Sequence, residues 1–159
     1  MKLKWYTLIF VGVLCIAKIN AQRLTIDNNQ PLPELIEGSF VEGCVEILNV
    51  SSPINGMATG IESYGYFSNN APSFPFSEGI VITTGAINQI SGSVNGELLS
   101  AGDENWSGDP DLEVITGVTE TFNATTIEFE FIAGTNTISF NYLLASEEYS
   151  NHFPCEYSD

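Results

Sequence analysis

The chain has 159 residues, 43% of them hydrophobic and 15% charged, with 20 acidic side chains against four basic ones and a formal net charge of −16 at pH 7. An imbalance of that size argues against nucleic acid or an anionic membrane as partner, since both carry the same sign of charge. The length fits a single domain able to bury roughly two-thirds of its unfolded surface.

The N-terminus reads as an export signal. Lys2 and Lys4 form a short basic region, residues 8–17 are apolar and uncharged, and Ile19-Asn20-Ala21 offers small and apolar residues at the cleavage positions. A membrane anchor needs about 20 apolar residues, and Lys18 interrupts the run first. Leu14 is too bulky for a lipoprotein cleavage box before Cys15. Cleavage after Ala21 is therefore expected, giving a secreted or cell-surface protein with no membrane insertion of the mature chain. Three of the four basic residues leave with the signal. Residues 22–159 then keep Arg23 against all 20 carboxylates, a formal −19 without a single lysine. Such a surface is either simply solvated or partly neutralised by hard cations such as Ca²⁺, which prefer oxygen ligands.

Along the mature chain, residues 33–37 predict one or two helical turns, with Pro33 early and Gly38 as the stop. Residues 44–50 alternate around Val45 and Ile47 with Glu46 outward, and residues 79–84 ("GIVITT") are a β-branched run; both predict strands. A second helix is predicted from Asp109 as N-cap, Pro110 at the first helical position and Gly117 as the stop. Residues 126–132 ("TIEFEFI") set Ile127, Phe129 and Phe131 against Glu128 and Glu130. After Gly134-Thr135-Asn136, residues 137–144 ("TISFNYLL") alternate again, so the two segments predict an antiparallel hairpin. Many strands, tight turns and one or two short helices describe a mainly β protein, an antiparallel β-sandwich of jelly-roll or lectin-like type.

Cys44 and Cys155 are the two cysteines of the mature chain. An even count in an oxidising compartment suggests a disulfide between them, the rival being two buried thiols.

The stretch "SAGDENWSGDPDLE" (100–113) gathers Asp103, Glu104, Asp109, Asp111 and Glu113 around Trp106. Three readings stand side by side. It is an ordered turn in which Asp109 caps a helix and Trp106 plugs the core, a calcium loop without EF-hand spacing, or a ligand face on an exposed Trp106. Glu147 and Glu148 suggest a glycosidase pair, but neighbours on an extended strand point to opposite faces, so they do not serve one site unless the strand bends. His152 is the sole histidine, no nucleophile elbow is present, zinc ligands are too few, and no lysine is left for a phosphate loop. The chain is thus read as no enzyme. Asn49, Asn105 and Asn123 each begin a glycosylation triplet, a pattern common by chance.

Taken together, "GCVEILNVSSPINGMATGIESYGYF" (43–67), "FPFSEGIVITTG" (74–85), "LLSAGDENWSGDPDLE" (98–113), "NATTIEFEF" (123–131) and "ISFNYLLASEEYSNHFPCEYSD" (138–159) resemble, in order, the choice-of-anchor L domain. The GD-x₄-GD-x-DLE stretch and the S-E-E-Y…P-C-x-Y-x-D ending are the most specific parts. The resemblance implies a module of exported bacterial surface proteins, often from gliding bacteria with type IX secretion, of adhesion type and without enzymatic activity. Family members continue past the last aspartate with a further strand and eventually an anchor or sorting region, so the resemblance implies an N-terminal portion of the domain. On their oxygen chemistry Asp103, Asp109, Asp111 and Glu148 are the expected Ca²⁺ ligands, with Asp159, which the resemblance places just before a core strand, as a fifth; Trp106 and Tyr149 are the expected ligand face. The expected partner is a surface ligand, a glycan or another surface protein. The alternative function is lectin-like carbohydrate binding, with glycoside hydrolysis behind it.

Overall fold

A computed structural model of the chain describes residues 24–40, 45–69, 74–90 and 105–146. Five strands and two helices occur among them: β1 (Thr25–Asp27), α1 (Leu32–Ser39), β2 (Glu46–Ser51), β3 (Tyr64–Ser68), β4 (Glu78–Ile82), α2 (Pro110–Thr116) and β5 (Glu128–Ile132). Two single 3₁₀ turns, Gly56–Thr59 and Ile87–Gln89, punctuate the connections. The strands form two antiparallel sheets, one in the order β1-β3-β4 and the other pairing β2 with β5. Two sheets with two short helices give the β-sandwich-like architecture that the alternating sequence pattern predicts.

Helix α1 joins the layers. Its Leu35 and Ile36 are buried, and it packs against β2 of one sheet and against β3 and β4 of the other. Phe67, Ile87 and Trp106 complete the buried apolar set among the described residues. The helix runs longer than predicted and does not stop at Gly38. It ends at Phe40, which keeps αR geometry and donates its N–H to Ile36 O at 3.2 Å. The Phe40 ring sits edge-on to Phe129 (5.6 Å between centroids) and stacks on Phe140 (5.7 Å). An aromatic anchor thus ends this helix in place of a left-handed glycine.

In the first sheet β3 is central, pairing Phe67 with Ile26 on one side and with Gly79 on the other. The Phe67 ring covers Gly79, an aromatic filling the space that a strand glycine leaves. The ring also meets Phe74 edge-on at 6.0 Å. Neither β1 nor β3 is among the strands predicted above. β1 is three residues long, and the glycine at position 65 hides the Tyr64–Tyr66 alternation of β3.

In the second sheet the ladder runs Glu46↔Ile132, Ile47↔Phe131 and Leu48↔Glu130, then slips to Ser51↔Glu128. One extra residue on β2 makes a β-bulge. Asn49 takes it up at φ 50° and donates its amide N–H to Glu130 Oε2 at 2.8 Å; asparagine tolerates this left-handed region better than other side-chain-bearing residues. Glu128 and Glu130 are exposed and Phe129 is half-buried, as the alternation predicts, whereas Phe131 on the same face is exposed.

The predicted hairpin is not formed. Residues 137–146 carry no strand, and β5 pairs with β2, 81 residues away along the chain at the Asn49–Glu130 bond. The chain bends through residues 134–136, where Thr135 Oγ1 donates to Thr137 O at 2.8 Å. That local bond replaces the cross-strand bonds a tight hairpin turn would need. Ile138, Phe140 and Tyr142 remain 50%, 60% and 86% exposed. Period-2 patterning describes a strand's two faces but not the neighbour its backbone bonds to.

Candidate functional site

The acidic stretch is a closed loop built on Trp106. The Trp106 backbone N–H donates to Asn123 Oδ1 (3.3 Å) and its indole N–H to Ala124 O (2.7 Å). Asn123 and Ala124 return their N–H groups to Trp106 O and Ser107 O at 3.0 and 3.1 Å, and Ser107 bridges Phe122. With every polar atom of its ring committed and only 8% of its surface exposed, Trp106 packs as core and shows an edge to the cleft beside it. It offers no open stacking platform. Asn123, at φ 55°, is itself buried, so its side chain is occupied in holding the loop shut.

Within this clamp α2 is assembled as its sequence dictates. Asp109 is the N-cap, its Oδ1 accepting from the N–H groups of Asp111 (2.8 Å) and Leu112 (3.1 Å). Pro110 fills the first helical position, where no N–H is needed. Gly117 closes the helix at φ 75° and donates to Glu113 O at 2.9 Å. Thr121 ties the two ends of the loop. Its Oγ1 accepts from Asp109 N–H (2.9 Å) and donates to Glu113 Oε1 (3.0 Å), while its own N–H also reaches that carboxylate oxygen (2.8 Å). Gly108 admits this contact: a β-carbon there would lie 2.0 Å from Thr121 Oγ1 and 2.1 Å from Thr121 O. Within the GD-x-DLE motif, Gly108, Asp109 and Glu113 thus act as a loop-closing and helix-capping device.

Beside the loop lies an open cleft of about 680 Å³ between the Asn105–Pro110 limb and the Thr119–Phe122 limb, with Glu113 and Glu120 on its wall. Of the five expected cation ligands, Asp109 and Asp111 fall together in the first turn of α2. Each carboxylate offers oxygens of the kind hard cations prefer, although one oxygen of Asp109 is spent on the cap. Among the described residues no group of three or more His, Cys, Asp or Glu is placed to hold a metal ion. Asp103, Glu148 and Asp159 lie outside the described residues, as do Tyr149 of the expected ligand face, the Glu147–Glu148 pair, His152, Cys44 and Cys155, and the signal segment with its cleavage point.

Among the described residues no helix is long and apolar enough to cross a membrane. The family model of the Choice-of-anchor L domain matches residues 22–159. No curated protein and no solved structure matches the chain.

Proposed function

The chain belongs to the choice-of-anchor L domain family, which makes it a surface-associated module, and on that premise we propose that it is a non-enzymatic, adhesion-type module of the cell surface whose acidic loop is stabilised by Ca²⁺. The family match across residues 22–159 carries the surface assignment. The acid excess and the geometry of α2 support the cation. Only Arg23 opposes 20 carboxylates after the signal, and Asp109, Asp111 and Glu113 crowd one helical turn. Like charges so close repel one another, and a divalent ion relieves that repulsion more effectively than diffuse monovalent salt. In this reading Asp109 and Asp111 supply the α2 half of the site, and Asp103, Glu148 and Asp159 the other half. Capping and ligation are compatible, because Asp109 caps through Oδ1 and keeps Oδ2 for a ligand.

Export and surface display, including association with gliding motility and type IX secretion, are tested by antibody labelling of intact cells that express the tagged chain, with and without residues 1–21. Labelling that depends on the leader is the expected result; retention inside the cell in both cases contradicts the reading. Calorimetric titration of residues 22–159 with Ca²⁺ tests the cation directly, and a saturable heat lost in Asp111→Asn is expected.

A further inference from the structure

A second cleft, remote in sequence from the acidic loop, lies where the β1–α1 turn faces the start of β3. It encloses about 260 Å³ and is lined by Asn28, Asn29, Gln30, Glu62 and Tyr64, with Pro31, Leu32 and Met57 as its apolar wall. We propose that this cleft binds a neutral saccharide, one sugar ring at a time.

The donor and acceptor inventory points to that class. Asn28, Asn29 and Gln30 bring amide donors and carbonyl acceptors and Glu62 acceptors alone. The fold spends one Asn28 N–H on Glu62, the Asn29 amide on Asp27 and Asn28, and Gln30 on Asp27. This leaves the Asn29 and Gln30 carbonyls and the second Glu62 oxygen as acceptors and the second N–H groups of Asn28 and Gln30 as donors. Vicinal hydroxyls, each both donor and acceptor, answer such a mixed set. No side chain caps the start of α1, so first-turn N–H groups add further donors at the Pro31–Leu32 wall. Tyr64 lines the cleft and brings a ring of the kind that takes the apolar C–H side of a sugar, with a polar tip; its hydroxyl lies 3.6 Å from Met57 Sδ. Binding pockets combine such an apolar wall with a few convergent polar groups, and their usual volume begins at about 300 Å³. The smaller volume here suits one ring and not an extended polymer segment.

Rival ligands fit less well. No cationic side chain lines the cleft, and the mature chain repels phosphate, sulfate and uronate. A divalent cation would find one lining carboxylate, Glu62, because Asp27 Oδ1 already accepts from the backbone and side-chain N–H groups of Asn29, at 3.0 Å each. The site is also preorganised. That Asx turn fixes Asn29, the Asn28 amide bonds Glu62 across the mouth, and fully buried Ser63 accepts the Gly56 N–H at 3.1 Å beneath it. A ligand entering here meets groups whose ordering cost is largely met by the fold.

The inference deepens the surface-module reading by naming a ligand class, yet it shares no residue with the acidic loop. The test is saturation-transfer NMR and titration of residues 22–159 with methyl glycosides of glucose, mannose, galactose and N-acetylglucosamine, in Ca²⁺ and again in chelator. A sulfated glycoside and a neutral hexapeptide serve as competitors. The expected result is transfer from at least one neutral glycoside, unchanged by chelator. Glu62→Gln, an exposed and isosteric change, should weaken binding about tenfold at unaltered melting temperature, as expected for losing a hydrogen bond to a charged group. Tyr64→Phe should keep most of the binding, since the ring face remains. Absence of transfer from every neutral glycoside, binding indifferent to Glu62→Gln, binding abolished by chelator at a temperature where circular dichroism shows the chelated chain still folded, or preference for the peptide or the sulfated sugar would each overturn the assignment.

Discussion

At the scale of single residues, a β-carbon at position 108 would collide with Thr121 Oγ1 at 2.0 Å, and the atoms it meets include backbone that has nowhere to go. Gly108→Ala is expected to cost on the order of 3 kcal/mol or to prevent folding, measured by urea denaturation. Asp109 separates two roles. Asp109→Ala removes the N-cap and should cost about 1 kcal/mol, whereas Asp109→Asn keeps an acceptor oxygen at the same place and should melt within a few tenths of a kcal/mol of the parent in chelator. Tyr66 supplies a pH signature. Its hydroxyl donates to Glu78 Oε2 at 2.6 Å, and this carboxylate raises the phenol above its ordinary value of 10.0. A folded-state value above the unfolded one means the contribution is intact below pH 10 and is lost as pH rises through the folded value. In a spectrophotometric titration Glu78→Gln should return one tyrosine to the ordinary range; an unchanged curve would remove Glu78 as the cause. The cap, the proline and the glycine stop of α2 were all legible in the sequence because each is a local rule acting over three or four residues. The roles of Thr121 and Asn123 were not, since their partners lie 12 and 17 residues away and only the folded loop reveals them.

At the scale of elements, β5 and residues 137–144 carry equally clean alternation but differ in backbone bonding. β5 is laddered to β2, while residues 137–146 form no ladder. Hydrogen exchange should therefore protect Phe129 and Phe131 amides well beyond those of Ile138, Phe140 and Tyr142, because exchange follows the opening of hydrogen-bonded units. Equal protection across both segments would mean that the predicted hairpin forms after all. Alternation is a statement about side chains and faces, and it read β2, β4 and β5 correctly to within two residues at each end where both could be compared. Pairing is decided by long-range packing, here by Phe129 meeting Phe40 at the end of α1, and no window of sequence contains both residues. The same limit hid β1 and β3, and with them the amide-lined cleft. Its signal was the run Asn28-Asn29-Gln30, visible in the sequence but without meaning until Glu62 and Tyr64 are brought opposite.

At the scale of the whole molecule, a formal −19 on residues 22–159 loads the folded state with self-repulsion that a compact chain cannot escape by spreading apart. The family and the sandwich-like architecture were readable at this scale, because composition and an ordered set of motifs do not depend on side-chain placement. The proposed Ca²⁺ ligands were legible only as a set of residue types, and three of the five fall outside the described residues. The central claim is that a divalent ion on the acidic loop holds this surface module together. It is tested most directly by melting residues 22–159 in Ca²⁺ and in chelator at one high concentration of NaCl, where diffuse screening is already saturated, with Asp109→Asn in parallel. A rise of several degrees in Ca²⁺, reproduced poorly by Mg²⁺ and lost in Asp109→Asn, is the predicted result. Identical melting of the parent chain in Ca²⁺ and in chelator would contradict it.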